Sequence, residues 1–129
     1  MILRIRPMYI QAIMDADQII ANLKALASPR NVEGMARFGI NTEGTLGISV
    51  TTLRTVAAPI RKELRKDPAR AHVLAAELWG SGIHEARQLA VMLEPPALVT
   101  AQQMDAWIAG VDSWDVCDAL CMDLFPRTP

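Results

Sequence analysis

Apolar positions along this chain recur at intervals of three and four residues, and no stretch alternates apolar with polar side chains. The first spacing belongs to amphipathic helices and the second to half-buried strands, so an all-α chain is expected. Ile13, Ile19, Ile20, Leu23 and Leu26 predict a long helix ending near Ser28-Pro29. A short helix is expected around Val32–Phe38, followed by a glycine-rich bend from Gly39 to Gly47. Ser49 is placed to cap the next helix, whose apolar stripe is Leu53, Val56, Ala57, Ile60 and Leu64. Pro59 falls inside that helix and is expected to kink or split it.

Asp67-Pro68 combines a cap with a first-turn proline, and opens a helix through Leu74 and Leu78 to Trp79. Gly80-Ser81-Gly82 ends it. Another helix begins near His84 and stops at Glu94, ahead of Pro95-Pro96. Thr100 and Gln103 form a capping box before Met104, Trp107 and Ile108, and Asp112 caps a last helix from Ser113 to about Phe125. Short turns between such helices read as stacked antiparallel pairs. No clean sequence repeat accompanies them, so spacing alone leaves a compact bundle open. Leu124–Pro129 contains no polar closing element, which leads us to expect the N-terminal part of a longer helical-repeat chain. Residues 1–129 are read as one domain, with 1–7 unstructured in part.

Composition changes this picture little. A length of 129 residues suffices for one buried core, and 51% hydrophobic with 21% charged residues is ordinary for a globular protein. No apolar run approaches the roughly 18 residues of a membrane span, and no secretory leader precedes the first helix, so the cytoplasm is the expected compartment. Charge is more informative. Residues 1–87 carry 12 basic and 8 acidic side chains, or +4, whereas residues 88–129 carry one basic and six acidic, or −5. A phosphate-binding face can therefore come only from the first part.

Two features carry candidate chemistry. Trp114 and Asp118 are four positions apart, one helical turn, and so share a face. At about 100° per residue they lie a quarter turn from the core stripe of Val116, Cys117, Leu120 and Leu124. An indole beside a carboxylate can stabilise a positively charged ring. The competing reading packs Trp114 and pairs Asp118 with an arginine of a neighbouring helix, such as Arg87 or Arg37. The second feature is a basic stripe, Arg54, Arg61 and Arg65 with Lys62 and Lys66 beside them, suited to phosphates or simply to solvent.

Other chemistries find no footing. Cys117 and Cys121 share one predicted helix and are expected to be buried, inert thiols. His72 and His84 have no ligand-spaced partner, His84 reads as a turn or capping residue, and neither a metal nor a cofactor is expected. The Gly39–Gly47 bend has no phosphate-loop signature.

Met35-Ala36-Arg37-Phe38, Leu46-Gly47-Ile48-Ser49 leading into Leu53-Arg54, and Glu77-Leu78-Trp79 are joined by Gly82-Ile83-His84-Glu85-Ala86-Arg87 and Asp112-Ser113-Trp114-Asp115-Val116-Cys117-Asp118. Together, from Met35 to Phe125, these segments resemble the HEAT-like-repeat DNA glycosylases, the alkylpurine glycosylase D family. The resemblance implies an α-solenoid whose basic concave surface grips duplex DNA and excises cationic N3- and N7-alkylated purines without flipping them into a pocket. It implies catalytic roles for Trp114 and Asp118 and puts Phe38 and Ser49 at the DNA-contacting surface, where the basic stripe of Arg54, Arg61, Lys62 and Arg65 is the candidate for phosphate contacts. Phe38 stands where the family carries tyrosine, and Ser49 where it carries glutamine. The family's second cleft tryptophan and phosphate-binding arginines lie in a C-terminal half beyond these 129 residues, so weak or no excision is expected of them alone. A non-catalytic helical-repeat scaffold, binding DNA or protein through the same surface, is the alternative. Pairing of two copies through the last helix is a further expectation.

Overall fold

A computed structural model describes residues 15–36, 44–112 and 114–129, with Ala36 and Trp114 described by their backbone alone. Among the described residues seven α-helices follow in order: α1 (Ala16–Ala25), α2 (Pro29–Ala36), α3 (Val50–Leu64), α4 (Pro68–Gly80), α5 (His84–Leu93), α6 (Ala101–Ala109) and α7 (Trp114–Ala119). A 3-10 turn, Pro96–Leu98, joins α5 to α6. No strand occurs among the described residues, as the three-and-four spacing requires.

Local chemistry sets the helix starts. Asp15 accepts from the N–H of Asp17, Ser49 from that of Thr52, Asp67 from that of Arg70 and Thr100 from that of Gln103. Each bond satisfies one of the donors a first turn leaves without an intrahelical partner. Pro68 occupies the first turn of α4, where a missing N–H costs nothing. Ile13, Phe38 and the bend as far as Glu43 lie outside the described residues.

Helix α5 is central. It packs against α1, α3, α4 and α7, and eight of its ten residues are buried, including His84, Glu85 and Gln88. A helix covered all round cannot show a clean polar face, and these three polar side chains must find partners inside. Leu53, Ala57, Ile60 and Leu64 of α3, Leu74, Ala75 and Leu78 of α4, and Val116 and Leu120 complete the core.

Two helices depart from expectation. Pro59 does not split α3, which runs unbroken from Val50 to Leu64. Proline removes the bond to the carbonyl four residues back, that of Thr55. Both residues are exposed, so water can serve that carbonyl while the buried stripe holds the helix together. The last helix also does not run as one α-helix to Phe125. After Ala119 it widens into a π-helical segment, Leu120–Leu124, and closes in a 3-10 turn, Phe125–Arg127. Pro126 has no N–H to continue the ladder, and Thr128 caps the end by donating its backbone N–H and its hydroxyl to the Phe125 carbonyl at 3.1 and 2.6 Å.

Candidate functional site

A groove of about 860 Å³ opens among the described residues. Arg54, Arg61 and Arg65 of α3 line it, as do Asp115 and Asp118 of α7 and Asp123 of the π segment. Gln88, Val91, Met92 and Leu93 of α5 line it too, and both α3 and α7 pack on that helix. The groove thus brings three guanidinium groups of α3 together with carboxylates of α7 and the π segment, and α5 packs against both α3 and α7.

Asp118 is exposed to this groove and makes no ion pair among the described residues. Of the two arginines expected to neutralise it, Arg87 is committed elsewhere. Arg87 donates from Nη1 to the Gly110 carbonyl at 2.6 Å and from Nε to the Trp79 carbonyl at 3.2 Å. Its guanidinium also lies 4.9 Å from the Trp79 ring centroid. Arg37 lies outside the described residues. Trp114 opens α7, one turn before Asp118, and its side chain is outside the described residues.

The expected basic stripe is divided in its duties. Arg54 and Arg65 are exposed and line the groove. Arg61 lines it as well, but its Nε and Nη2 both donate to the Met92 carbonyl, at 3.2 and 2.8 Å. That carbonyl is near the end of α5, where a cation is welcome. Lys62 is exposed but does not line the groove, whereas Arg127, which sequence reasoning does not single out, does. Ser49 caps α3, with its hydroxyl also donating to Thr52 Oγ1 at 2.9 Å. Phe38 lies outside the described residues.

Sequence reasoning misses the polar contacts that hold the groove. Glu85 is fully buried, and its two oxygens accept the backbone N–H groups of Leu46, Gly47 and Ile48 at 2.8, 2.8 and 3.1 Å. These bonds fix the loop that delivers Ser49 and the arginine helix α3. The neighbouring His84 is not a cap: Ile83 holds that position, and the His84 imidazole is buried. Its Nε2 lies 2.6 Å from Asp115 Oδ2, which also accepts from Gln88 Nε2 at 3.1 Å. The available signal is the run of polar residues His84, Glu85, Arg87 and Gln88 in the first half of α5.

A second buried carboxylate, Glu94, lines the groove at the end of α5 and contacts His72 Nδ1. Burial pushes its pKa above the ordinary glutamate value, outweighing the opposing effects of His72 and Gln103. The cysteines differ from expectation: Cys117 is half-buried and Cys121 exposed, both free. With Leu120 and Leu124 turned inward, Cys121 falls about a quarter turn off the core face. Burial, then the adjacent Cys121 thiol and the Asp118 charge, push the Cys117 thiol pKa up, so it is no activated nucleophile. Among the described residues no three potential ligands gather around a metal position, and no helix is long and apolar enough to cross a membrane.

The family model for the DNA alkylation repair enzyme matches residues 19–128, which include every helix that lines the groove. The chain belongs to the DNA alkylation repair enzyme family. No curated protein and no solved structure matches it. For this DNA alkylation repair family member, a DNA substrate agrees with a groove bordered by arginines.

Proposed function

We propose that this DNA alkylation repair protein is an N-glycosylase-type hydrolase that releases cationic N3- or N7-alkylated purines from duplex DNA. Its helices would be the N-terminal part of an α-solenoid of HEAT-like pairs, with the groove on the concave side. The observation that carries the reading is Asp118, exposed and without an ion-pair partner among the described residues, in a groove it shares with Arg54, Arg61 and Arg65. Arg54 and Arg65 are free to meet phosphates, Lys62 and Arg61 add positive field, and Ser49 and Phe38 lie near the start of α3 in the sequence.

The chemistry asks little of the protein. An alkylated purine already carries positive charge, and the electron pair of the breaking C1′–N bond neutralises it, so no acid is needed at the leaving base. Charge then develops on the deoxyribose, which becomes oxocarbenium-like. Asp118 supplies the opposing negative field and a contact for the attacking water, whose hydroxyl goes to C1′ and whose proton leaves to the carboxylate or solvent. Trp114, four positions earlier in the sequence, would offer an indole π-surface to the same cation. No cofactor enters.

A non-catalytic scaffold is favoured by one observation, the structural use of Arg61 on the Met92 carbonyl. Chromatography of bases released from N-methylpurine duplex separates the two readings. It should be run on this chain and on the longest reading frame containing it. Free alkylpurine above the uncatalysed level is expected from the longer protein, with weak or no release by this chain alone; salt-sensitive duplex binding with no release by either protein would leave only the scaffold.

A further inference from the structure

We propose that His84 and Asp115 are a positioning pair, in which the buried imidazole acts through the Asp115 carboxylate to aim Asp118 into the groove. The inference rests on the excision reading above and assigns a task to a contact that reading does not use.

Asp115 and Asp118 stand three positions apart, on one side of a helix that has only six α-helical residues, and both line the groove. Their surroundings are opposite. Asp115 is held on both oxygens: Oδ2 faces His84 Nε2 at 2.6 Å and Gln88 Nε2 at 3.1 Å, and Oδ1 accepts the N–H of Val116 at 2.9 Å. Asp118 has none of these partners and is exposed. Asp115 is therefore spent as an anchor, and Asp118 is left to act on a ligand.

Six α-helical residues continued by a π segment and a 3-10 turn make a helical stretch that is marginal by itself, and its rotation about its own axis must be set by what it packs on. Val116 and Leu120 bury one side, but apolar contacts tolerate small rotations that a short charge-assisted hydrogen bond does not. The anchor itself is rigid. His84 is 4% exposed, lies in the first turn of α5, and its backbone N–H donates to the Gly44 carbonyl at 3.0 Å. Neighbouring Glu85 ties the same turn to residues 46–48. One turn of α5 thus fixes the loop entering the arginine helix with one side chain and the carboxylate helix with the next. An electrostatic site must be set before the charge develops, because a carboxylate displaced by an ångström gives up much of its field.

The experiment compares affinity for two duplexes, one carrying a cationic pyrrolidine abasic analogue and one its neutral tetrahydrofuran counterpart. The ratio isolates the field of Asp118 from general phosphate binding. Wild-type protein is expected to favour the cation by about tenfold or more, equivalent to one charge contact. His84→Leu should reduce that ratio to about two or less while leaving neutral-duplex affinity unchanged. His84→Gln, whose amide nitrogen can occupy the place of Nε2, should restore most of it. In an Asp118→Asn background His84→Leu should change nothing further, because its effect passes through Asp118. Wild-type protein without cation preference would overturn the excision reading and this inference with it. A preference that survives His84→Leu would overturn the inference alone, as would a His84→Gln variant no better than His84→Leu. If His84→Leu does not fold, His84→Gln and the Asp118→Asn pairing decide.

Discussion

Glu85 and Gly47 lie 38 positions apart in the chain and meet through a buried 2.8 Å hydrogen bond from the glycine N–H to Oε2. Two more backbone donors, from Leu46 and Ile48, close on the same carboxylate. Burial keeps water from replacing the acceptor, so the bonds are worth most when one is broken. Glu85→Gln places an amide where donors converge. It should lower unfolding stability by about 2–4 kcal/mol in urea titrations. A loss below about 1 kcal/mol would show that the loop does not depend on this carboxylate.

Gly47 is constrained from the other side as well. Its φ of +83° is left-handed, and a Cβ there would sit 2.1 Å from the Ser28 carbonyl oxygen. Gly47→Ala should cost about 3 kcal/mol or more. Gly34, helical and with nothing within 4 Å of where a Cβ would stand, gives the control. There, Gly34→Ala should gain up to about 1 kcal/mol, so thermal melts of the two variants should move in opposite directions.

Glu94 makes stability depend on pH in an unusual sense. Its pKa is raised in the folded protein, so between the unfolded and folded values the native state holds more protons than the unfolded chain. Its contribution is complete below the unfolded value of about 4.5 and is lost as pH rises through the folded one. Glu94→Gln stays neutral throughout. The stability of that variant relative to wild type should therefore climb as pH rises above about 4.5 and then level off. A difference that is flat with pH would mean the carboxyl ionises without penalty.

The arginines should separate into phosphate contacts and a structural clasp. Arg65 has no side-chain hydrogen bond to the protein among those described, and Arg65→Ala should lower the slope of log K against log salt by about 0.9 for duplex DNA. Arg61→Ala should alter that slope less and lower stability by about 1 kcal/mol, since it removes two donors from the Met92 carbonyl. Equal slopes for both variants would contradict the division.

Helix starts are legible in the sequence because capping is local: Ser49, Asp67-Pro68 and Thr100 each act within three residues. The tolerance of α3 for Pro59 is not, because it depends on which side of the helix faces water, a tertiary property. The π segment is hidden because an unbroken α-helix to Phe125 fits the same apolar spacing of Val116, Leu120 and Leu124. Asp118 and the arginines stand out as charges off the core stripes. Their meeting in one groove is the arrangement the excision reading requires, and it comes from packing on α5. His84–Asp115 and the Glu85 loop join residues 31 to 39 positions apart, and no single-chain periodicity encodes such pairs. The Gly82–Arg87 segment that carries part of the family resemblance is thereby explained as a clamp between loop, helix α7 and the Trp79 end of α4.

The most direct measurement is the single-turnover rate of 7-methylguanine release from methylated duplex by the longest reading frame containing this chain, compared with its Asp118→Asn variant. Release by the wild type is expected, with a loss of about 100-fold or more on neutralising that one carboxylate and duplex affinity little changed. Release that persists at the wild-type rate in Asp118→Asn would remove the carboxylate from the chemistry and contradict the account.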